Sequence, residues 1–309
     1  MANMKAIKRR RLTVKNISQI TNAMNLVATS KLQRARNALA MASDPILATF
    51  DIVYQTVSHP QALGAEGLAP REGGARKTAY VVVTGNRGLC GGYHANVCKA
   101  MIAHASAHGK QPVIIPFGSK GRDYLQRRGY EVMEYPTPQE HPSFEDAREL
   151  SALLTGLYTG GEVDEVYIAY TKFVTVLNLE PIVRQILPLD PAYLRLVLAD
   201  DLAPGEAWED LGFFLKPEPK LRAGDYVEFE PDLETVVAHV IPWYMHMYIH
   251  GAFTAAYLCE QAARMTSMDA STKNAADIIE KLTLQYNRQR QSIITQEITE
   301  IVSGANALQ

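Results

Sequence analysis

Residues 252–303 read AFTAAYLCEQAARMTSMDASTKNAADIIEKLTLQYNRQRQSIITQEITEIVS, a stretch with no glycine and no proline. Nothing in it stops a helix once begun, and its alanine, leucine, glutamate, glutamine and arginine favour one. Unbroken, it would extend about 75 Å at ~1.5 Å per residue. That exceeds the diameter of a globule made from the rest of the chain, so the helix must protrude or pair with another element. A protein built around such a rod works by reach or torque before it works by catalysis.

Working outward, the stripe on this segment runs Val240, Tyr244, Met247, Gly251, Ala255, Leu258, Ala262, Met265, then Ala276, Ile279, Leu282 and Tyr286. The whole helix is expected over Leu233–Ser303. A matching stripe opens the chain: Ile17, Ile20, Met24, Ala28, Leu32, Ala35, Leu39, Ala42, Ile46, Phe50, Val53 and Val57. It covers 40 residues in 11 steps, a mean near 3.6, which is one face of a nearly straight helix over Ile7–Val57. Asp44-Pro45 is expected to kink this helix or to mark a joint. Both stripes are rich in alanine, which permits close approach. The middle of the chain starts and ends at one place, so the two helices pair antiparallel. The competing arrangement, two amphipathic helices lying on a globular core, is disfavoured by their length. The expected organisation is a shaft helix over 1–59, an α/β globular part over 76–232 and a second shaft helix over 233–309 that pairs with the first.

Near the end the second stripe meets charge. Arg290 falls on the line between Tyr286 and Ile294, followed by Gln291, Thr295, Gln296 and Glu297. A buried arginine without a partner is costly. The tip is therefore expected to leave its partner helix and to present polar groups to another protein, with Ile293, Ile294, Ile298 and Ile301 on the same turns.

The middle alternates strand and helix. Strands are predicted at Ala79–Thr84, Pro112–Phe117, Glu131–Tyr135, Glu165–Phe173 and Ile182–Leu187, and helices at Asn96–His108, Tyr124–Arg128 and Phe144–Leu157. That order implies a mostly parallel sheet flanked by helices, a Rossmann-like α/β domain. After the first strand comes Gly85-Asn86-Arg87-Gly88-Leu89-Cys90-Gly91-Gly92. A glycine loop before a helix start is a phosphate-cradle pattern. Here, however, the spacing is not G-x-G-x-x-G and no Lys-Ser/Thr follows, so a tight structural turn is the favoured reading. No nucleophile elbow, zinc-protease motif or paired acid stands in a suggestive loop. No catalytic residue and no cofactor is assigned.

Composition narrows the classes further. A hydrophobic share of 47% with 21% charged residues fits a folded globular chain. Residues 1–36 hold Lys5, Lys8, Arg9, Arg10, Arg11, Lys15, Lys31, Arg34 and Arg36, and the first acid is Asp44. Residues 140–235 are acidic instead. The basic first helix should meet acidic partners. An acid-poor, arginine-rich start also fits a transit peptide, but the stripe passes through it without a cleavage-like break. No apolar run reaches the ~18 residues of a membrane span. Cys90, Cys98 and Cys259 are scattered and odd in number, which indicates reduced thiols, with no zinc site and no disulfide framework. His246 and His250 have i, i+4 spacing but no third ligand, so they read as a helix face and no metal is assigned.

Several long stretches resemble the gamma subunit family of F-type ATP synthases. Ala263-Arg264-Met265-Thr266-Ser267-Met268-Asp269-Ala270-Ser271-Thr272-Lys273-Asn274-Ala275 resembles its C-terminal helix. So does Tyr286-Asn287-Arg288-Gln289-Arg290-Gln291, leading to Ile294-Thr295-Gln296-Glu297-Ile298-Thr299-Glu300-Ile301-Val302-Ser303-Gly304-Ala305. Ile20-Thr21-Asn22-Ala23-Met24 with Val27-Ala28-Thr29-Ser30-Lys31-Leu32 resembles its first helix, and Arg87–Gly92 its central motif. The likeness spans nearly the whole chain.

The resemblance implies a central rotor shaft turning inside a ring of three alpha and three beta subunits, with its foot on a membrane-embedded c-ring. Ion flow would turn the shaft and drive the beta subunits through different nucleotide affinities, or ATP hydrolysis would drive the reverse. Catalysis would lie in beta. By the same resemblance Arg290, Gln291 and Thr295 contact a beta loop, Arg264 belongs to the neighbouring motif, and Met24 with Lys31 faces the acidic C-terminal domain of beta. Tyr226, Phe229, Glu230 and Asp232 match the foot segment that meets epsilon and the c-ring, although the family often has a second tyrosine where Phe229 stands. The stretch 189–225 is longer than in compact bacterial members. With no cysteine between Cys98 and Cys259, thiol regulation there is not expected. The implied place is the cytoplasmic face of a bacterial membrane, peripherally bound, with no nucleic-acid partner. Two other readings remain at this stage, a nucleotide-binding α/β enzyme with helical arms and a passive coiled-coil scaffold.

Overall fold

The computed structural model describes residues 2–57, 77–108, 112–136, 141–189 and 228–307. Tyr226 and the acidic segment 190–227 lie outside them. The elements are α1 (Ala2–Val57), β1 (Thr78–Val83), α2 (Tyr93–His108), β2 (Val113–Phe117), α3 (Ser119–Gln126), α4 (Phe144–Thr159), β3 (Glu165–Phe173), β4 (Leu179–Leu187) and α5 (Leu233–Ala307). They divide into two compact units, Met1–Ser30 with Arg264–Gln309, and Lys31–Ala263.

The larger unit is built on a four-stranded sheet of order β2-β1-β3-β4. β1 pairs in parallel with β2 and with β3, and β4 is antiparallel to β3. The first two pairings follow from helical crossovers. β3 and β4 are separated only by the turn 174–178, too short for a crossover, so they form a hairpin closed where Val174 N–H donates to Asn178 O (3.3 Å). β1, Thr-Ala-Tyr-Val-Val-Val, is buried on both faces, as a central strand must be. Ala79, Val81 and Val83 look toward Leu150 and Leu154 of α4 and Tyr244, Ile249 and Phe253 of α5. Tyr80 and Val82 look the other way, into Val97, Cys98 and Met101 of α2 and Leu125 of α3. The period-2 pattern of one strand thus sorts two cores.

The strand predicted at Glu131–Tyr135 does not form. Only Val132 bridges Ile114, with Met133 N–H donating to Ile114 O (2.8 Å). Gly129, at φ 80°, turns the chain just before it, and Pro136, which has no N–H, follows Tyr135 and cannot extend the ladder. The joint expected at Asp44-Pro45 is not a helix end either, since α1 continues through Pro45 and α5 through Pro242. A helical proline costs about 3 kcal/mol. Burial of Ile46 and Val53 offsets it at roughly 1.5–3 kcal/mol each.

Within the larger unit α1 and α5 run antiparallel. Trp243 Nε1 donates to Thr49 Oγ1 (3.0 Å), and a Cβ placed on Gly251 would lie 3.1 Å from Ile46 Cδ1. Glycine is what permits that approach. In the smaller unit the same sense holds: Thr21 and Thr272 hydroxyls meet at 2.7 Å, and the Arg11 guanidinium lies over the Tyr286 ring at 5.2 Å.

The seam differs in phase from the stripe read in the sequence. On α1 the less exposed positions of the smaller unit are Met4, Ile7, Arg11, Val14, Ser18, Thr21, Met24, Asn25 and Ala28. Ile17 (48% exposed) and Ile20 (59%) lie off the seam. In the larger unit the positions are Leu32, Ala35, Leu39, Ala42, Ile46, Thr49, Val53 and Thr56. On upper α5 they are Met268, Thr272, Ala275, Ile279, Leu282, Tyr286, Gln289 and Ile293, with Ala276 exposed. Steps alternating three and four have a mean of 3.5, the period of a left-handed coiled coil. The 3.6 stripe drifts off that seam toward the N-terminus, where Ser18 and Thr21 stand on it in place of Ile17 and Ile20.

Candidate interaction surface and anchoring loop

The shaft tip follows from that phase. Past Ile293 every described side chain of α5 is exposed, including Ile294, Ile298, Ile301 and Val302. Arg290, Gln291 and Thr295 are exposed as well, in keeping with a tip that leaves its partner helix, and Gln289 takes the seam position. Thr299 caps its hydroxyl on Thr295 O (2.8 Å), and Gln296 Nε2 donates to Glu300 Oε1 (2.9 Å). Ile294, Ile298 and Ile301 recur at i, i+4, i+7, a helix-in-groove pattern that has no partner within the described residues.

The remaining residues singled out from the sequence are spread. Met24 and Lys31 are half-buried on α1, and Arg264 is buried at 8% exposure on α5. Phe229 is half-buried and Glu230 exposed in the segment before α5. Asp232 caps α5: Thr235 N–H donates to Oδ1 (2.8 Å) and Thr235 Oγ1 to Oδ2 (3.0 Å). Those bonds hold the Asp232 carboxyl below its usual value, the backbone N–H contributing most.

The glycine loop sits where β1 ends. Gly85 N–H donates to His94 Nδ1 (3.3 Å), which leaves the proton on Nε2, and Nε2–H donates to Arg87 O (2.9 Å). From the other side Ser119 N–H donates to Asn86 Oδ1 (2.8 Å) and Lys120 N–H to Gly85 O (3.1 Å). Leu89 at φ 65° and Gly91 at φ 59° both occupy left-handed backbone. For exposed Leu89 that conformation is strained.

Helix α5 closes over this loop. Tyr93 Oη–H donates to Ala256 O (2.7 Å), and a Cβ on Gly85 would fall 2.1 Å from Glu260 Oε2. Cys259 Sγ–H donates to Thr171 O (3.4 Å) near the end of β3. Burial, then the nearby Cys259 and Glu260, pushes the Tyr93 phenol well up. Burial also pushes the Cys98 thiol up to about 12 and holds the Cys259 thiol well above its usual value, so neither thiol is a nucleophile at neutral pH. Sequence reading passed over Tyr93, His94 and Glu260. The available signal was a carboxylate inside Ala252–Ala263, a run otherwise without an acid.

Comparison with known proteins sharpens this arrangement. The family described as ATP synthase matches residues 3–308. The chain is similar to the ATP synthase gamma chain of Alkaliphilus metalliredigens, 39% identical over 306 residues, covering 99% of this chain and 98% of that one. It is 37% identical over 311 residues to the gamma chain of Lachnoclostridium phytofermentans, each covered completely. The gamma chain of Acetobacterium woodii, named as sodium ion specific, is 36% identical over 309 residues, with 99% of each chain covered. In fold, a chain of the Euglena gracilis mitochondrial ATP synthase aligns with TM-score 0.63 at 18% identity, over 99% of this chain and 95% of that one. A chain from the central stalk and c-ring of the Tetrahymena thermophila mitochondrial enzyme aligns with TM-score 0.58 at 20% identity, over 81% and 98%. With a family match over nearly all of its length and relatives above 35% identity end to end, the chain belongs to the ATP synthase gamma-chain family.

Proposed function

We propose that this gamma chain is a non-catalytic rotor shaft whose tip is gripped by beta. A gamma chain couples transmembrane ion flow to ATP synthesis or hydrolysis by rotation. The observation that carries the finer reading is the unpaired end of α5, where Ile294, Ile298 and Ile301 line a helix that has left its seam. Burying that stripe in an alpha3beta3 ring would stabilise the assembly, and Arg290, Gln291 and Thr295 at its base would make polar contacts with a beta loop. Met24, Lys31 and Arg264 are further beta contacts in this reading, supported by the acid-free start of α1 facing an acidic partner. The segment with Tyr226, Phe229, Glu230 and Asp232 meets epsilon and the c-ring. The complex holds the chain peripherally on the cytoplasmic face of a bacterial membrane, and no helix of the described residues is long and apolar enough to cross one.

Shaft angle then selects among beta conformations through differential contacts, the only way a subunit without chemistry can bias an equilibrium. Arg290→Ala with Gln291→Ala is expected to lower coupled ATP turnover while the complex still assembles. Full turnover in the assembled double variant would remove the tip contacts. A bead fixed to the α/β part that stays still during ATP hydrolysis would remove the rotor.

A further inference from the structure

In open α/β sheets, ligands bind outside the carboxyl ends of the strands where the strand order reverses. Here the reversal lies at β1, with β2 on one side and β3 on the other. A glycine loop follows β1 and opens α2, the usual seat for a phosphate. That seat is filled by the chain itself. Glu260 is only 9% exposed, and its Oε2, Cδ and Oε1 would lie 2.1, 2.5 and 2.8 Å from a Cβ on Gly85. One turn earlier, Ala256 O accepts the buried Tyr93 hydroxyl at 2.7 Å. The α2 first turn has no acid of its own, so a carboxylate from α5 is electrostatically welcome beside it.

We propose that Glu260 and Tyr93 are positioning residues that clamp both ends of the Gly85–Gly92 loop to α5, turning a phosphate-type crevice into the joint through which the sheet and this part of α5 move together. The proposal rests on the rotor reading. A hydrogen bond at Ala256 and a side-chain contact at Glu260, one helical turn apart on α5, resist twisting as well as separation. The loop is pinned equally from behind by His94, Ser119 and Lys120, so it has no slack to absorb rotation. Cys259, between the two anchors, ties the same turn to the β3 end. A Cβ at Gly85 would displace the far end of the Glu260 side chain and with it this contact.

The test uses complete ATP synthase carrying gamma variants in sealed membrane vesicles, scored as ions pumped per ATP hydrolysed. Tyr93→Phe removes one hydroxyl and nothing else, and should lower that ratio roughly twofold. Gly85→Ala should lower it more. Glu260→Ala in the same chain frees the space the methyl needs, so the double variant should match Glu260→Ala alone and not the sum of the two. Leu154→Val, a cavity in the sheet core away from the clamp, serves as the stability control and should leave the ratio unchanged. If Gly85→Ala does not assemble, Tyr93→Phe decides. The clamp is overturned if Tyr93→Phe keeps the wild-type ratio, or if Leu154→Val lowers it as much. A wild-type complex that hydrolyses ATP without pumping would instead defeat the rotor reading.

Discussion

Two segments of α5 keep the same helix in opposite surroundings. Ala252–Ala263 is almost wholly buried and holds five alanines, whereas Ile294–Ser303 is wholly exposed and holds six β-branched residues; neither has a glycine or proline. Helical propensity favours the first, yet both are helical, so propensity alone does not explain the exposed one. The first is stabilised by what packs on it, including Phe253 stacked on Phe117 at 3.7 Å between centroids. The second keeps four large aliphatic side chains in water, and only a partner would recover that cost.

Substitutions can break or sharpen this contrast. The largest effect is expected at Phe253→Ala, a fully buried aromatic, with a loss of about 3–5 kcal/mol in urea unfolding of the purified chain. A loss under ~1 kcal/mol would mean the buried segment is loosely packed.

Next in size is a pH effect confined to the buried side. Burial, and then the positive charge of His141, holds His250 below its usual value; burial, and then Arg148, does the same for His246. Phe144 lies edge-on to both imidazoles, and His250 Nδ1 is buried without a hydrogen bond. The unfolded chain takes up these protons first, so stability is retained above an unfolded value of about 6.5 and lost as pH falls from there through the lower folded values. The urea midpoint should drop between neutral and mildly acidic pH, and His250→Leu should shrink that drop. An unchanged slope would show that this face opens freely to water. Asp232 acts later and in the ordinary carboxylate direction, its capping contribution disappearing only as pH falls below the usual aspartate range.

The smallest stability effect belongs to the tip. Ile298→Ser with Ile301→Ser should stay within ~0.5 kcal/mol in the isolated chain, while weakening its assembly with alpha and beta. A large stability loss would mean that the tip folds back on its own unit.

Much of this was legible before any coordinates. The strands Ala79–Thr84 and Glu165–Phe173 follow from β-branched apolar runs, and the helix α4 from its apolar spacing after Ser143, which forms a capping box with Asp146. The exposed tip is legible as well, since Arg290 on the 3.6 stripe is too costly to bury, whereas the seam itself passes through Gln289. A difference of 0.1 residue in period is invisible in any one turn and moves every contact over several turns. The role of Gly85 was hidden for another reason. Its partner lies 175 positions away in the chain, and no local pattern links them.

By itself, the amino-acid sequence determined that two helices are long, that the centre is a sheet of mostly parallel strands, and that no catalytic or metal motif is present. Those properties depend on local sterics, hydrogen-bonding groups and periodicity, all of which are written in neighbouring residues. Only the tertiary structure decided which side of α1 faces α5, that Glu131–Tyr135 is a single bridge, and that the Glu260 side chain lies against Gly85. Each of these depends on surfaces brought together from distant parts of the chain, where burial and close approach outweigh local preference.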